Sequence, residues 1–83
     1  MIHFTRHAED KFKILNQHSV IINKSKVIAT ILNPETTDKI SRFPLIIAQS
    51  KLDNSHVLRV IYKQENDLKT IITFYPGRIK QYD

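Results

Sequence analysis

Eighty-three residues, 41% of them apolar and 25% charged, make a single small domain over 1–83, too short to divide into two cores. Cysteine is absent and glycine occurs once, which excludes a disulfide framework, a thiolate metal site, a cysteine nucleophile and a glycine-rich phosphate loop. Thirteen Lys and Arg against eight Asp and Glu give a net charge of +5, and the excess sits towards the two ends.

Residues 2–5 form a short first strand. Thr5 then caps a helix over 6–17, whose Ala8, Phe12 and Leu15 recur at helical spacing, with Glu9 placed to pair with Lys13 four residues on. A connection over 18–22 leads to Asn23, a second N-cap, and to a helix over 24–32 with Val27, Ile28, Ile31 and Leu32 on one stripe. Asn33-Pro34 ends it, because a residue before proline is pushed out of the α region. From there the period becomes strand-like. Residues 43–50, 56–64 and 68–75 are apolar and β-prone, Asp53-Asn54 marks a turn, Pro76-Gly77 breaks the last strand, and 78–82 form a short terminal one.

Alternation assigns the faces. Leu58, Val60 and Tyr62 share one side of their strand, and Val57, Arg59, Ile61 and Lys63 the other. Pairing Leu58 with Phe74 and Val60 with Ile72 brings the apolar sets together and leaves Glu65-Asn66-Asp67 as the loop. The expectation is an α+β fold of order β-α-α-β-β-β-β, with two N-terminal helices packed on one face of a small antiparallel sheet. The other face then carries Arg59, Lys63, Lys69, Thr73 and Tyr75 among Val57, Ile61 and Ile71.

That face is where chemistry is expected. Arg59, mid-strand among apolar residues, needs an anionic partner or a route to solvent. It reads either as a phosphate clamp or as half of a salt bridge to a neighbouring strand. In 78–82, alternation puts Arg78, Lys80 and Tyr82 on one side, two cations and a phenol that suit a phosphate backbone with a stacked base, or else a charged, blunted edge. His3 and His7 have the spacing of a helical metal pair, but a strand-to-helix boundary falls between them and no third ligand is near, so no metal is expected. His7, at a helix start where the dipole disfavours its imidazolium, is the candidate general base; His18 and His56 read as turn residues. The longest apolar stretches, 27–32 and 43–48, fall far short of the roughly 20 residues that span a bilayer. Met1–Arg6 has no apolar leader core. A cytoplasmic protein is expected.

Phe4-Thr5-Arg6-His7-Ala8 opening the first helix, Ile31-Leu32-Asn33-Pro34 closing the second, Leu58-Arg59-Val60, and Ile72-Thr73-Phe74-Tyr75 resemble the small RelE/ParE-like toxins of prokaryotic toxin–antitoxin pairs, especially a branch that opens with a similar F-T-R-H-A run. The resemblance implies a RelE-like domain and a metal-independent endoribonuclease, an mRNA interferase often acting on the ribosome, needing no cofactor and held by a cognate acidic antitoxin. It assigns catalysis to His7, Arg59, Arg78 and Tyr82, while strand geometry adds Lys63, Lys69, Tyr75 and Lys80 as RNA-binding groups. The reaction is attack of a 2′-hydroxyl on the adjacent phosphate. The alternative is a non-catalytic relative that grips gyrase, an antitoxin or nucleic acid through the basic sheet face.

Overall fold

The computed structural model describes residues 1–82, with side chains described as far as Lys80. In chain order the elements are β1 (Ile2–Phe4), α1 (Arg6–Gln17), α2 (Lys24–Leu32), β2 (Thr36–Asp38), β3 (Ile46–Lys51), β4 (His56–Glu65), β5 (Leu68–Arg78) and a single helical turn, α3 (Ile79–Tyr82). The strands make one five-stranded sheet in the order β1-β5-β4-β3-β2. α1 lies against β5 and β1, and α2 against β4 and β3.

Both helices have the bounds that their caps predict. Thr5 Oγ1 accepts from the Ala8 N–H at 3.1 Å and donates to the Ile72 carbonyl at 3.2 Å, so one hydroxyl starts α1 and fastens it to β5. Asn23 Oδ1 accepts from the Lys26 N–H at 2.9 Å. α1 ends with Ser19 in the left-handed region (φ 63°), the Ser19 N–H on the Asn16 carbonyl and the Val20 N–H on that of Leu15. This pairing of the two outer N–H groups with the last turn turns the chain sharply towards α2. Glu9 does not pair with Lys13; it reaches across to Lys24 at 2.7 Å, tying α1 to α2.

Between helices and sheet lies the core, with Phe74, Leu58, Ile71, Val27 and Val60 fully enclosed. Phe12 carries α1 into it, its ring 4.6 Å from that of Phe74 and 5.9 Å from that of Phe4. α2 buries Val27, Thr30 and Ile31, whereas Leu32, expected on the same stripe, is largely exposed. Thr30 is accommodated because its hydroxyl bonds the Lys26 carbonyl at 2.8 Å and the Ser50 hydroxyl at 2.7 Å.

The sheet departs from expectation in several places. It is mixed rather than antiparallel, because β1 runs parallel to β5. No tight turn links those two strands, so nothing local fixes their relative direction. β2 adds an edge strand beside β3, and β3 starts only at Ile46. The preceding residues form turns closed by Phe43 N–H on the Ile40 carbonyl and Leu45 N–H on that of Arg42. β5 continues through Pro76 and Gly77 to Arg78. β1 accompanies β5 only as far as Ile71, so from there β5 is an edge on that side, where a missing N–H is tolerated. Residues 78–82 are not a strand: after Arg78 the backbone turns into α3.

The β4–β5 register differs most. Val60, not Leu58, faces Phe74, and Leu58 faces Pro76, while nearer the turn Tyr62 faces Ile71 across a bulge that leaves Ile72 unpaired. The two-residue connection is Asn66-Asp67, with Asn66 at a left-handed φ of 54°. A bulge inserts one residue and reverses the alternation beyond it. Ile71 therefore joins Phe74 under the helices, fully enclosed, instead of standing on the outer face. Lys69 follows it to that side.

Asp38, at the end of β2, organises the turn after it: its Oδ1 accepts from the Ile40 and Ser41 N–H groups at 2.9 and 3.0 Å. Those contacts with Ser41 and Ile40, aided by the Arg59 charge, hold its carboxyl down from 3.8 to about 2. A depressed carboxylate stabilises the fold fully above its unfolded value and loses that contribution as pH falls towards the folded one. Asp38→Asn is expected to flatten the acid-unfolding curve between pH 3.8 and about 2, read by circular dichroism against the parent chain.

Candidate active site

The outer sheet face is not the bare cationic surface that the sequence suggests. Ile47, Val57 and Ile61 are each about 5% exposed there. Arg59 stands between Gln49 on β3 and Tyr75 on β5, its register partners. Its guanidinium donates through Nη1 to Gln49 Oε1 at 2.6 Å and through Nε to the Tyr75 hydroxyl at 3.1 Å. Lys63 is on the same face, 3.5 Å from Glu65. Arg59 thus serves as the hub of a cross-strand polar cluster. Arg59→Ala is expected to cost about 1–3 kcal/mol, because nearly buried Gln49 loses its donor. Chemical denaturation of the variant beside the parent chain would show the loss.

Of the residues assigned to catalysis, His7, Arg59 and Arg78 are not brought together. Tyr75 and Gly77 share the face of Arg59, so Arg78, next along β5, leaves the sheet on the opposite side. His7 is exposed in the first turn of α1, in the helix layer, near the level of Ile72 where Thr5 is anchored. From there Arg78 is six strand residues away, roughly 20 Å. The side chain of Tyr82 lies outside the described residues. Among the described residues, no three His, Cys, Asp or Glu side chains are grouped so as to hold a metal ion, and no helix is long and apolar enough to cross a membrane.

Arg78 does have company. Its register partner on β4 is His56, and Lys80 follows on α3. A cleft of about 490 Å³ is lined by Asn54, Ser55, His56, Arg78, Ile79 and Lys80. The Ile79 N–H bonds the Ser55 carbonyl at 3.0 Å and closes its floor. The turn before β4 shapes the imidazole. Asp53 Oδ1 accepts from the Ser55 and His56 N–H groups, each at 2.8 Å, an aspartate turn that the residue type favours. The same carboxylate lies 2.9 Å from His56 Nδ1. An ionised carboxylate only accepts, so Nδ1 carries the proton and Nε2 is left as the basic nitrogen. Asp53 is held below the ordinary carboxylate range by the Ser55 N–H first and the His56 side chain next, which keeps it charged.

The arrangement is an imidazole oriented by a carboxylate, beside a guanidinium and an ammonium, at the rim of an open cleft. It can take a proton through His56 Nε2 and stabilise negative charge through Arg78 and Lys80. Sequence reasoning had Arg78 and Lys80 but set His56 aside as a turn residue. The signal was its spacing, since an aspartate three residues before a histidine across a turn brings the two side chains together. No family model matches the chain, and neither the curated proteins nor the solved structures contain a significant match to it.

Proposed function

We propose that the protein is a toxin-like, metal-independent endoribonuclease of a toxin–antitoxin pair, acting on messenger RNA in the cytoplasm through Asp53, His56, Arg78 and Lys80. The observation that carries the reading is the Asp53-clamped imidazole set directly across the β4–β5 pair from Arg78. His56 Nε2 removes the proton of a ribose 2′-hydroxyl, whose oxygen attacks the adjacent phosphorus in line. The bond to the 5′-oxygen breaks, a 2′,3′-cyclic phosphate forms, and the departing oxygen takes a proton from the water that fills the open cleft. Arg78 and Lys80 stabilise the charge growing on the phosphoryl oxygens, and Asp53 steadies the imidazolium. The +5 charge favours a polyanionic substrate and an acidic antitoxin alike.

The test is cleavage of a short oligoribonucleotide by the purified chain in excess chelator, alone and with ribosomes. Products ending in a cyclic phosphate and beginning with a 5′-hydroxyl are expected, and none where the nucleotide before the scissile phosphate is 2′-deoxy. Cleavage that ignores the 2′-deoxy substitution, or no cleavage in either setting, overturns the reading.

A further inference from the structure

The cleft beside His56 is larger than a phosphate needs. Its volume of about 490 Å³ lies within the range of about 300–1,000 Å³ of clefts that take a small organic ligand whole. Despite Arg78 and Lys80, apolar surface predominates in its lining. Ile79 is half-buried there, and both cations carry apolar stems behind their charges. The rest of the wall beside His56 is neutral and polar, from Asn54 and Ser55. Asn54 belongs to the turn that orients His56. Asp53 Oδ1 fixes the Ser55 and His56 N–H groups, each at 2.8 Å, so the backbone is held on either side of Asn54. Its own amide makes no hydrogen bond among the described residues and is exposed. The turn does not use it.

A cleft with cations, an aliphatic surface and an unused amide has the parts that a nucleotide needs. The cations suit its phosphate, Ile79 the face of its base, and the amide the edge of that base. An amide carries a donor beside an acceptor, so it pairs with two adjacent atoms of opposite kind. Adenine offers such a pair in its N6 amino group and N7, whereas guanine offers two acceptors there and a pyrimidine has no N7. The Ser55 hydroxyl satisfies one atom of an edge only. We infer that the cleft holds the base of the nucleotide preceding the scissile phosphate, and that Asn54 makes adenine the preferred base by pairing with N6 and N7. This inference rests on the ribonuclease reading and adds to it the base that is read. With the phosphate at Arg78 and Lys80 and the base at Asn54 and Ile79, the ribose between them shares the cleft with His56. The apolar surface accepts any base, so discrimination comes from the amide.

Nuclear magnetic resonance on the isotope-labelled full chain tests this with four probes: inorganic phosphate and the 3′-phosphates of adenosine, uridine and 7-deazaadenosine, in which a C–H replaces N7. All four are expected to shift the amides of residues 54–56 and 78–80. Adenosine 3′-phosphate should bind about tenfold more tightly than the other two nucleotides, in keeping with one bidentate pair. Asn54→Ala should bring adenosine 3′-phosphate down to the level of its 7-deaza analogue and leave the binding of inorganic phosphate unchanged; at so exposed and unbonded a position the fold is not at stake. If the three nucleotides bind alike, or if the adenosine preference survives Asn54→Ala, the base reading is overturned and the cleavage reading stands. If no probe moves residues 54–56 and 78–80, both fall together.

Discussion

Replacing His56 by alanine is expected to lower RNA cleavage by about 10²–10⁴-fold, the range lost when a positioned general base is removed. The fold should survive, because the ring is partly exposed and the turn before β4 is held by backbone N–H groups on Asp53. Thermal unfolding of the variant should match the parent within about 0.5 kcal/mol, as for other surface changes. Arg78→Ala, which removes only charge stabilisation, is expected to cost about 10²–10³-fold, as loss of one preorganised donor does elsewhere. His7→Ala is expected to cost nothing, and the pair of results separates the cleft on β4 and β5 from the opening of α1. Equal activity of the parent and the His56 variant in a single-turnover assay would remove the mechanism.

Phe74→Ala is expected to be the most damaging change to the fold. The ring is fully enclosed and packs on Phe12 at 4.6 Å, so it joins β5 to α1. Truncating a buried phenylalanine costs about 3–5 kcal/mol through lost burial and the cavity left behind. A domain of this size has only about 5–15 kcal/mol in total and lies towards the lower end. The midpoint of thermal unfolding should fall on the order of 20 °C, followed by circular dichroism. Phe43, 81% exposed in the turn before β3, supplies the control: Phe43→Ala should shift that midpoint by no more than a degree or two. A Phe74 variant that unfolds like the Phe43 variant would show that the layer between helices and sheet is not the stabilising core.

The helices were legible because their ends are written in local chemistry. Thr5 and Asn23 accept from N–H groups three residues on, and Asn33-Pro34 cannot continue a helix. β4 was legible from alternation, and so was the side on which Leu58 and Val60 lie. What alternation cannot reveal is where it fails. Ile71, Ile72 and Thr73 are all β-branched and equally suited to a strand, so nothing in them marks Ile72 as the unpaired residue. The bulge decides the fate of Ile71 and Lys69, and both were placed on the wrong side. β1 is too short to show its direction. Arg59 was expected to meet an anionic group or reach solvent; the hydrogen-bond partners described, Gln49 and Tyr75, are neutral and are set by register across three strands. Arg78 was expected to share a strand face with Lys80 and Tyr82, whereas its register partner is His56. Strand alternation was carried through Pro76-Gly77 into residues that fold as α3, whereas the aspartate turn ending at His56 is a short-range signal that spacing alone could have shown.

The place of β5 between β1 and β4 has a consequence for synthesis. Thr5 can satisfy the Ile71 and Ile72 carbonyls only when those residues are present, so β1 waits for a strand made much later. Such distant pairing is slow to form and leaves a nascent polypeptide incompletely folded. The cationic groups at 78 and 80 emerge later still. Until residues 78 and 80 have been made, the nascent chain lacks both its closed sheet and the charges beside His56, and under the proposed activity the transcript being read is spared until translation has passed that point.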